Sequence, residues 1–76
     1  MKQRTPEQQA RRIESLAHTA ADILYQQDMK AGMAQDEAWL LRRAYLPGLA
    51  PIVSRLLAEH TAPILIPRMA AKEYFK

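Results

Sequence analysis

The stretch that decides the fold is LLRRAYLPGLAPIVSRLL, residues 40–57. Before the pair Pro47-Gly48 the chain is apolar almost all round a helix, and after it Ile52, Val53, Leu56 and Leu57 recur on one helical face. Proline lacks the N–H that a continuing helix needs and disfavours helical geometry in the preceding residue, and glycine tolerates positive φ. Pro51 then suits the first position of a new helix. The stretch therefore predicts a short helical hairpin, with a second helix over residues 36–46 and a third over residues 51–61.

The segment before this hairpin predicts one long helix over residues 6–31. Thr5 can cap it, Pro6 suits its first position, and Gln8 completes a capping box with Thr5. Gly32 has the character of a helix C-cap. Apolar residues at steps of three and four form one stripe along this helix. The stripe is longer than two short helices can cover, so we expect part of it to pack against a symmetry mate or a partner, or else the N-terminal turns to fray.

The opposite face of the long helix has a mixed composition, with charged, polar and apolar side chains within about 60° of one another at ~100° per residue. We interpret it either as a solvated face or as a contact surface. Its members are Arg11, His18, Asp22, Tyr25 and Met29.

Residues 62–67, APILIP, interrupt the helical pattern with Pro63 and Pro67. Prolines push the residues before them towards extended geometry, so this segment predicts an extended apolar strap. Residues 68–76 then predict a short terminal helix that is stable only when docked. The strap and tail, residues 62–76, either complete the core or form an arm that crosses to another protein.

The chain as a whole predicts a single all-α domain, residues 1–76, with residues 1–5 as a flexible N-terminus. Its 49% of hydrophobic residues and only 2 glycines are typical of a globular helical protein, and the absence of cysteine excludes disulfides and thiolate metal sites. No apolar run approaches the ~20 residues that span a bilayer, and no apolar segment follows the charged first residues. We therefore expect a soluble, cytoplasmic protein with no membrane partner.

Catalytic and metal-binding signatures are weak. Glu14 and Asp22 both lie four residues from His18, but the only other histidine is His60, and zinc usually requires three or four ligands. No glycine-flanked elbow, paired acid or phosphate-binding loop surrounds any serine or threonine. The sequence thus predicts no enzyme, no metal and no cofactor.

Function is predicted from the surface instead. The net charge of +3 permits contact with an acidic protein or with nucleic acid. We expect a small non-catalytic adaptor, inhibitor or accessory subunit that acts through protein contacts and self-associates as a homodimer or another homo-oligomer. An exposed Trp39 beside two arginines would be an interface hot spot. The candidate protein-binding residues are Trp39, Arg42, Arg43, Tyr45, Arg68, Tyr74 and Phe75.

A helix-turn-helix DNA-binding regulator is the alternative, with Gly48 in the turn and residues 52–60 as the recognition helix. Its candidate nucleic-acid contacts are Arg42, Arg43, Ser54 and Arg55. This helix offers one arginine and no asparagine, glutamine or lysine for base edges. The same stretch therefore fits a helical hairpin that forms part of the core better than a DNA-recognition motif.

Overall fold

The computed structural model describes residues 5–75, which form three helices and no strand. They are α1 (Pro6–Lys30), α2 (Gln35–Ala58) and α3 (Ile66–Tyr74). The predicted all-α class is confirmed, and a short terminal helix follows a proline-bounded connection as expected. The predicted flexible N-terminus lies, apart from Thr5, outside the described residues, as does Lys76.

α1 begins and ends at the predicted signals. The Thr5 hydroxyl accepts a hydrogen bond from the Gln8 N–H at 3.1 Å, and the Thr5 N–H donates to the Gln8 side chain at 3.2 Å, which completes the capping box. At the other end Gly32 adopts a φ of +98°. The Met33 N–H then donates to the Asp28 carbonyl and the Gly32 N–H to the Met29 carbonyl, both at 3.1 Å, which is the Schellman arrangement.

α2 runs without interruption through both Pro47 and Pro51, so the predicted break and the helical hairpin are wrong. The two prolines are four residues apart and exposed, which places them on one outer side of the helix. The carbonyls of Arg43 and Pro47, which lose their helical donors, lie on that side, where water can satisfy them. Packing of the inner side against α1 and α3 offsets the cost of the two prolines.

The connection after α2 turns rather than extending. The Leu65 N–H donates to the Ala62 carbonyl at 2.9 Å, and α3 begins two residues earlier than predicted, at Ile66. Ile66, Ala70 and Ala71 are buried against the other helices. The tail therefore packs back onto its own chain in this structure.

The core lies where all three helices meet. α1 contributes the small residues Ala17, Ala20 and Ala21, which let the helix axes approach closely. The four-residue connection between α1 and α2 makes these two helices antiparallel. The largest fully buried side chains are Leu24, Leu49, Val53, Leu56 and Ile66. Over residues 5–75, no helix has both the length and the apolar character needed to cross a bilayer.

Candidate protein-docking surface

Two large apolar side chains project from the first turns of α2. Trp39 is 51% exposed and Leu40 is 66% exposed. Ala38, next to them in the chain, is buried against the body of the protein. The helix therefore turns its bulkiest side chain, Trp39, towards solvent. The sequence of α2 is apolar almost all round and does not by itself indicate whether Trp39 faces the core or the solvent.

The exposed Trp39 ring is held in place from two sides. The Tyr25 ring of α1 meets it edge to face, with 5.8 Å between ring centroids and 86° between planes. The Arg42 guanidinium carbon lies 5.2 Å from the centroid of the Trp39 ring, a cation–π distance. These contacts restrict the orientation of the Trp39 ring within the free chain.

Arg42 is itself fixed by α1. Its Nε donates to Asp22 Oδ1 at 2.6 Å, and the Arg42 side chain is only 14% exposed. One of its terminal nitrogens also lies 3.4 Å from His18 Nδ1. Three residues of the mixed face of α1, for which the sequence left a solvated face and a contact surface open, thus support the tryptophan of α2.

Arg43 lies one helical turn beyond Trp39 and is exposed. Within residues 5–75 it forms no ion pair, in contrast to Arg42. We name the surface formed by Trp39, Leu40 and Arg43 the Trp39 face. It combines an aromatic ring, an aliphatic side chain and an available positive charge.

Tyr45, one of the predicted protein-binding residues, lies in the core instead, at 7% exposure. Its hydroxyl donates to Asp28 Oδ2 at 2.7 Å. Burial, reinforced by this hydrogen bond to a carboxylate, raises the pKa of Tyr45 to about 12. Tyr74 and Phe75 pack edge to face on the Tyr45 ring, with centroid distances of 5.1 and 5.9 Å. Phe75 is nevertheless 63% exposed, so most of its side chain remains open to solvent.

Arg68 lies apart from the other candidates, in a groove of about 580 Å³ between α1 and α3. We name this the α1–α3 groove. The protein-binding residues predicted from the sequence are therefore distributed over three places: the Trp39 face, the aromatic cluster around Tyr45, and this groove. The groove is lined by Ile23, Gln27, Leu65, Arg68, Met69, Ala71 and Lys72.

Sequence reasoning did not select Leu40, and it did not connect Tyr25 or Asp22 to Trp39. The signal for the latter two was present in the mixed face of α1, which carries both residues. For Leu40, only its acidic neighbours Asp36 and Glu37 indicated that this side of α2 meets water.

The helix-turn-helix alternative requires a turn at Gly48, and the structure has none there, because α2 is helical at Gly48. Ser54 is exposed, but the Arg55 guanidinium donates to both carboxylate oxygens of Glu59 at 3.1 Å and also pairs with Glu73 of α3. These hydrogen bonds, first that to Glu73 and then that to Glu59, raise the pKa of Arg55 above its ordinary value. Arg55 thus bridges α2 and α3.

Across residues 5–75, no three side chains of the types that ligate metals converge on one point. His18 Nε2 lies 3.8 Å from a carboxylate oxygen of Glu14, one turn away on the same helix. No protein-family model, curated protein or solved structure matches this chain. The Trp39 face and the α1–α3 groove are the surfaces on which a function can be argued.

Proposed function

We propose that this chain is a small non-catalytic protein-interaction module, acting as an adaptor, inhibitor or accessory subunit, and that it docks through the Trp39 face. The single observation that supports the proposal most is the half-exposed Trp39 ring held between Tyr25 and Arg42. Tryptophan and arginine are the side chains most enriched among the residues that dominate protein–protein binding energy.

Preorganisation strengthens the argument. A flexible surface side chain loses rotamer freedom when it binds, at a cost of about 0.5–1.5 kcal/mol. Asp22 fixes Arg42 and Arg42 in turn restricts Trp39, so part of this cost is already met during folding. The ring is therefore suited to enter a partner pocket with little further ordering.

The partner's chemistry follows from the neighbours of the ring. Leu40 favours an apolar surface around the pocket, and Arg43 favours a carboxylate at its edge. The proposed partner is thus a protein with an apolar pocket bordered by acidic groups. The proposal also includes a cytoplasmic setting, which suits a chain without cysteine.

Affinity measurements with a matched pair of variants test the proposal. The tagged full-length chain is cross-linked in the cells that express it, and the captured protein is purified and titrated with wild type, Trp39→Ala and Ile64→Ala. Ile64 is a large exposed apolar residue outside the Trp39 face, so it serves as the control. We expect Trp39→Ala to weaken binding roughly 30-fold, as for a hot spot of about 2 kcal/mol, and Ile64→Ala to change it less than about twofold.

Equal affinities of wild type and Trp39→Ala would remove the Trp39 face from the proposal. Random-sequence duplex DNA at low salt serves as the competing ligand. Strong, salt-dependent DNA binding that is lost in Arg42→Ala with Arg43→Ala would instead favour a nucleic-acid function.

A further inference from the structure

The α1–α3 groove pairs an apolar floor with positive charge. Ile23, Leu65 and Met69 supply apolar surface, and the cations Arg68 and Lys72 stand one turn apart on α3. The groove lining includes no acidic residue, and neither cation forms an ion pair within residues 5–75. An occupant that matches this groove presents apolar side chains and carboxylates at helical spacing.

The same chain carries such a surface at the start of α2. Asp36 and Glu37 are exposed in the first turn and form no ion pair in the described part of the chain. Leu40 follows Asp36 by one turn, so the carboxylate and the aliphatic side chain share one side of the helix. Asp36, Trp39 and Leu40 also border a shallow depression of about 430 Å³ together with Gln35. We name Asp36, Glu37 and Leu40 the acidic patch.

The groove and the acidic patch lie on different sides of one molecule. Tyr25 contacts Trp39, which neighbours the acidic patch, whereas Ile23 and Gln27 line the groove. Two residues along a helix correspond to roughly 200° of rotation, so Tyr25 and the two groove residues point in nearly opposite directions from α1. A chain therefore cannot insert its own acidic patch into its own groove, but it can offer the patch to another chain.

We infer that the α1–α3 groove of one chain receives the acidic patch of a second copy. The inference rests on the proposed function, because Leu40 belongs to both the acidic patch and the Trp39 face. Asp36 and Glu37 meet Arg68 and Lys72, and Leu40 packs on the apolar floor of the groove. Because donor and acceptor surfaces differ, the contact is heterologous and continues from copy to copy into a ring or an open chain.

Two half-defective variants test this arrangement. Leu40→Gln removes the aliphatic side chain from the acidic patch without adding a charge, and it leaves the groove intact. Arg68→Glu with Lys72→Glu reverses the charge of the groove and leaves the acidic patch intact. The fold should tolerate these changes, because every substituted position is exposed: Leu40, Arg68, Lys72 and the control Ile64. Circular dichroism verifies that each variant is folded.

Light scattering at low salt gives the readout. We expect wild type and Ile64→Ala to grow beyond a dimer as concentration rises, and each half-defective variant alone to self-associate at least about tenfold more weakly. An equimolar mixture should form a heterodimer and stop there, because only one complementary pair of surfaces remains. Added salt should weaken the wild-type assembly.

A wild type that stays monomeric up to millimolar concentration would overturn the inference, as would a mixture that stays monomeric or variants that assemble like wild type. Partner titration keeps this outcome separate from the proposed function. If the groove variant binds the captured partner as wild type does while wild type stays monomeric, the inference fails and the proposed function stands. If self-association follows the expected pattern while Trp39→Ala binds the partner normally, only the proposed function fails.

Discussion

Gly48 lies in the middle of α2 directly beneath the ring of Tyr74, so that a Cβ at position 48 would come within 2.6 Å of Tyr74 Cε2. The glycine has ordinary helical geometry, since Gly32 is the glycine with positive φ in residues 5–75. Its role is therefore close approach between two helices rather than a turn. The missing side chain lets Tyr74 reach Tyr45, against which it packs edge to face.

Gly48→Ala should reveal this contact. Alanine gains about 1 kcal/mol of helix propensity over glycine, but displacing the Tyr74 ring from a packed site costs about 1–3 kcal/mol. We expect the free energy of unfolding in urea to fall by about 1 kcal/mol in the wild-type background. In a Tyr74→Ala background the clash is absent, and the same substitution should stabilise by about 0.5–1 kcal/mol. Equal stabilisation in both backgrounds would contradict the close approach.

The helix ends of α1 could be predicted because their signals are local. Thr5, Gln8 and Gly32 each act within one turn of the chain, and the structure has them in the expected hydrogen bonds. Pro47 and Pro51 act locally too, but here tertiary packing outweighs them. Their spacing of four residues keeps both on the outer side of α2, and the inner side stays continuous for α1 and α3.

The site was less predictable, because the orientation of Trp39 depends on which side of an almost wholly apolar helix α1 covers. Sequence spacing places Trp39, Arg42 and Arg43 together on α2. It does not indicate that Asp22 binds one arginine and leaves the other available. That distinction comes only from the register between α1 and α2.

Burial of Tyr45, together with its hydrogen bond to Asp28, should make stability depend on alkaline pH. The pKa of Tyr45 is about 12 in the folded chain against an ordinary value of 10.0. Below pH 10 both states hold the proton and the stabilisation is complete; as pH rises towards 12, the unfolded chain loses its proton first and the stabilisation declines.

Tyr45→Phe isolates this effect. At neutral pH it should lower the free energy of unfolding by about 1–2 kcal/mol, because the hydroxyl bonds a charged acceptor. The difference in unfolding free energy between wild type and Tyr45→Phe should then shrink in urea titrations above pH 10. Comparing the two proteins at each pH cancels the titration of all other groups. A difference that stays constant to the end of this range would contradict the assignment.

Asp22→Ala should disturb Trp39 through Arg42. The mostly buried Arg42 guanidinium loses its carboxylate, so we expect stability to fall by about 1–2 kcal/mol. Because Trp39 is the only tryptophan, its fluorescence reports the cation–π contact directly, and the emission should shift with Asp22→Ala.

The matched control is Glu7→Ala, which breaks the exposed ion pair of Glu7 with Arg11 near the start of α1. That variant should change stability by less than about 1 kcal/mol and leave the emission unchanged. An unchanged emission in Asp22→Ala would show that Arg42 does not depend on Asp22 for its position over the ring.

His60 ends α2 in the conformation that Gly32 adopts at the end of α1. The Thr61 N–H donates to the Leu56 carbonyl and the His60 N–H to the Leu57 carbonyl, both at 3.0 Å, which is the same Schellman arrangement. The difference is the residue in the left-handed position, where His60 has a φ of +60°. A side chain costs about 1–2 kcal/mol in this region, and glycine does not incur that cost.

His60→Gly should therefore stabilise the chain, by about 1 kcal/mol once the extra freedom of glycine in the unfolded state is counted. The His60 ring is exposed, so little packing is lost with it.

Gly32→Ala is the converse variant. Nothing lies within 4 Å of its added Cβ, yet its φ of +98° should make the substitution destabilising by about 1 kcal/mol or more. If the two substitutions change the free energy of unfolding in urea with opposite signs, backbone conformation and not side-chain contact decides the stability of the C-terminal ends of α1 and α2. If His60→Gly were destabilising instead, the imidazole would have to make a contact that outweighs its backbone strain.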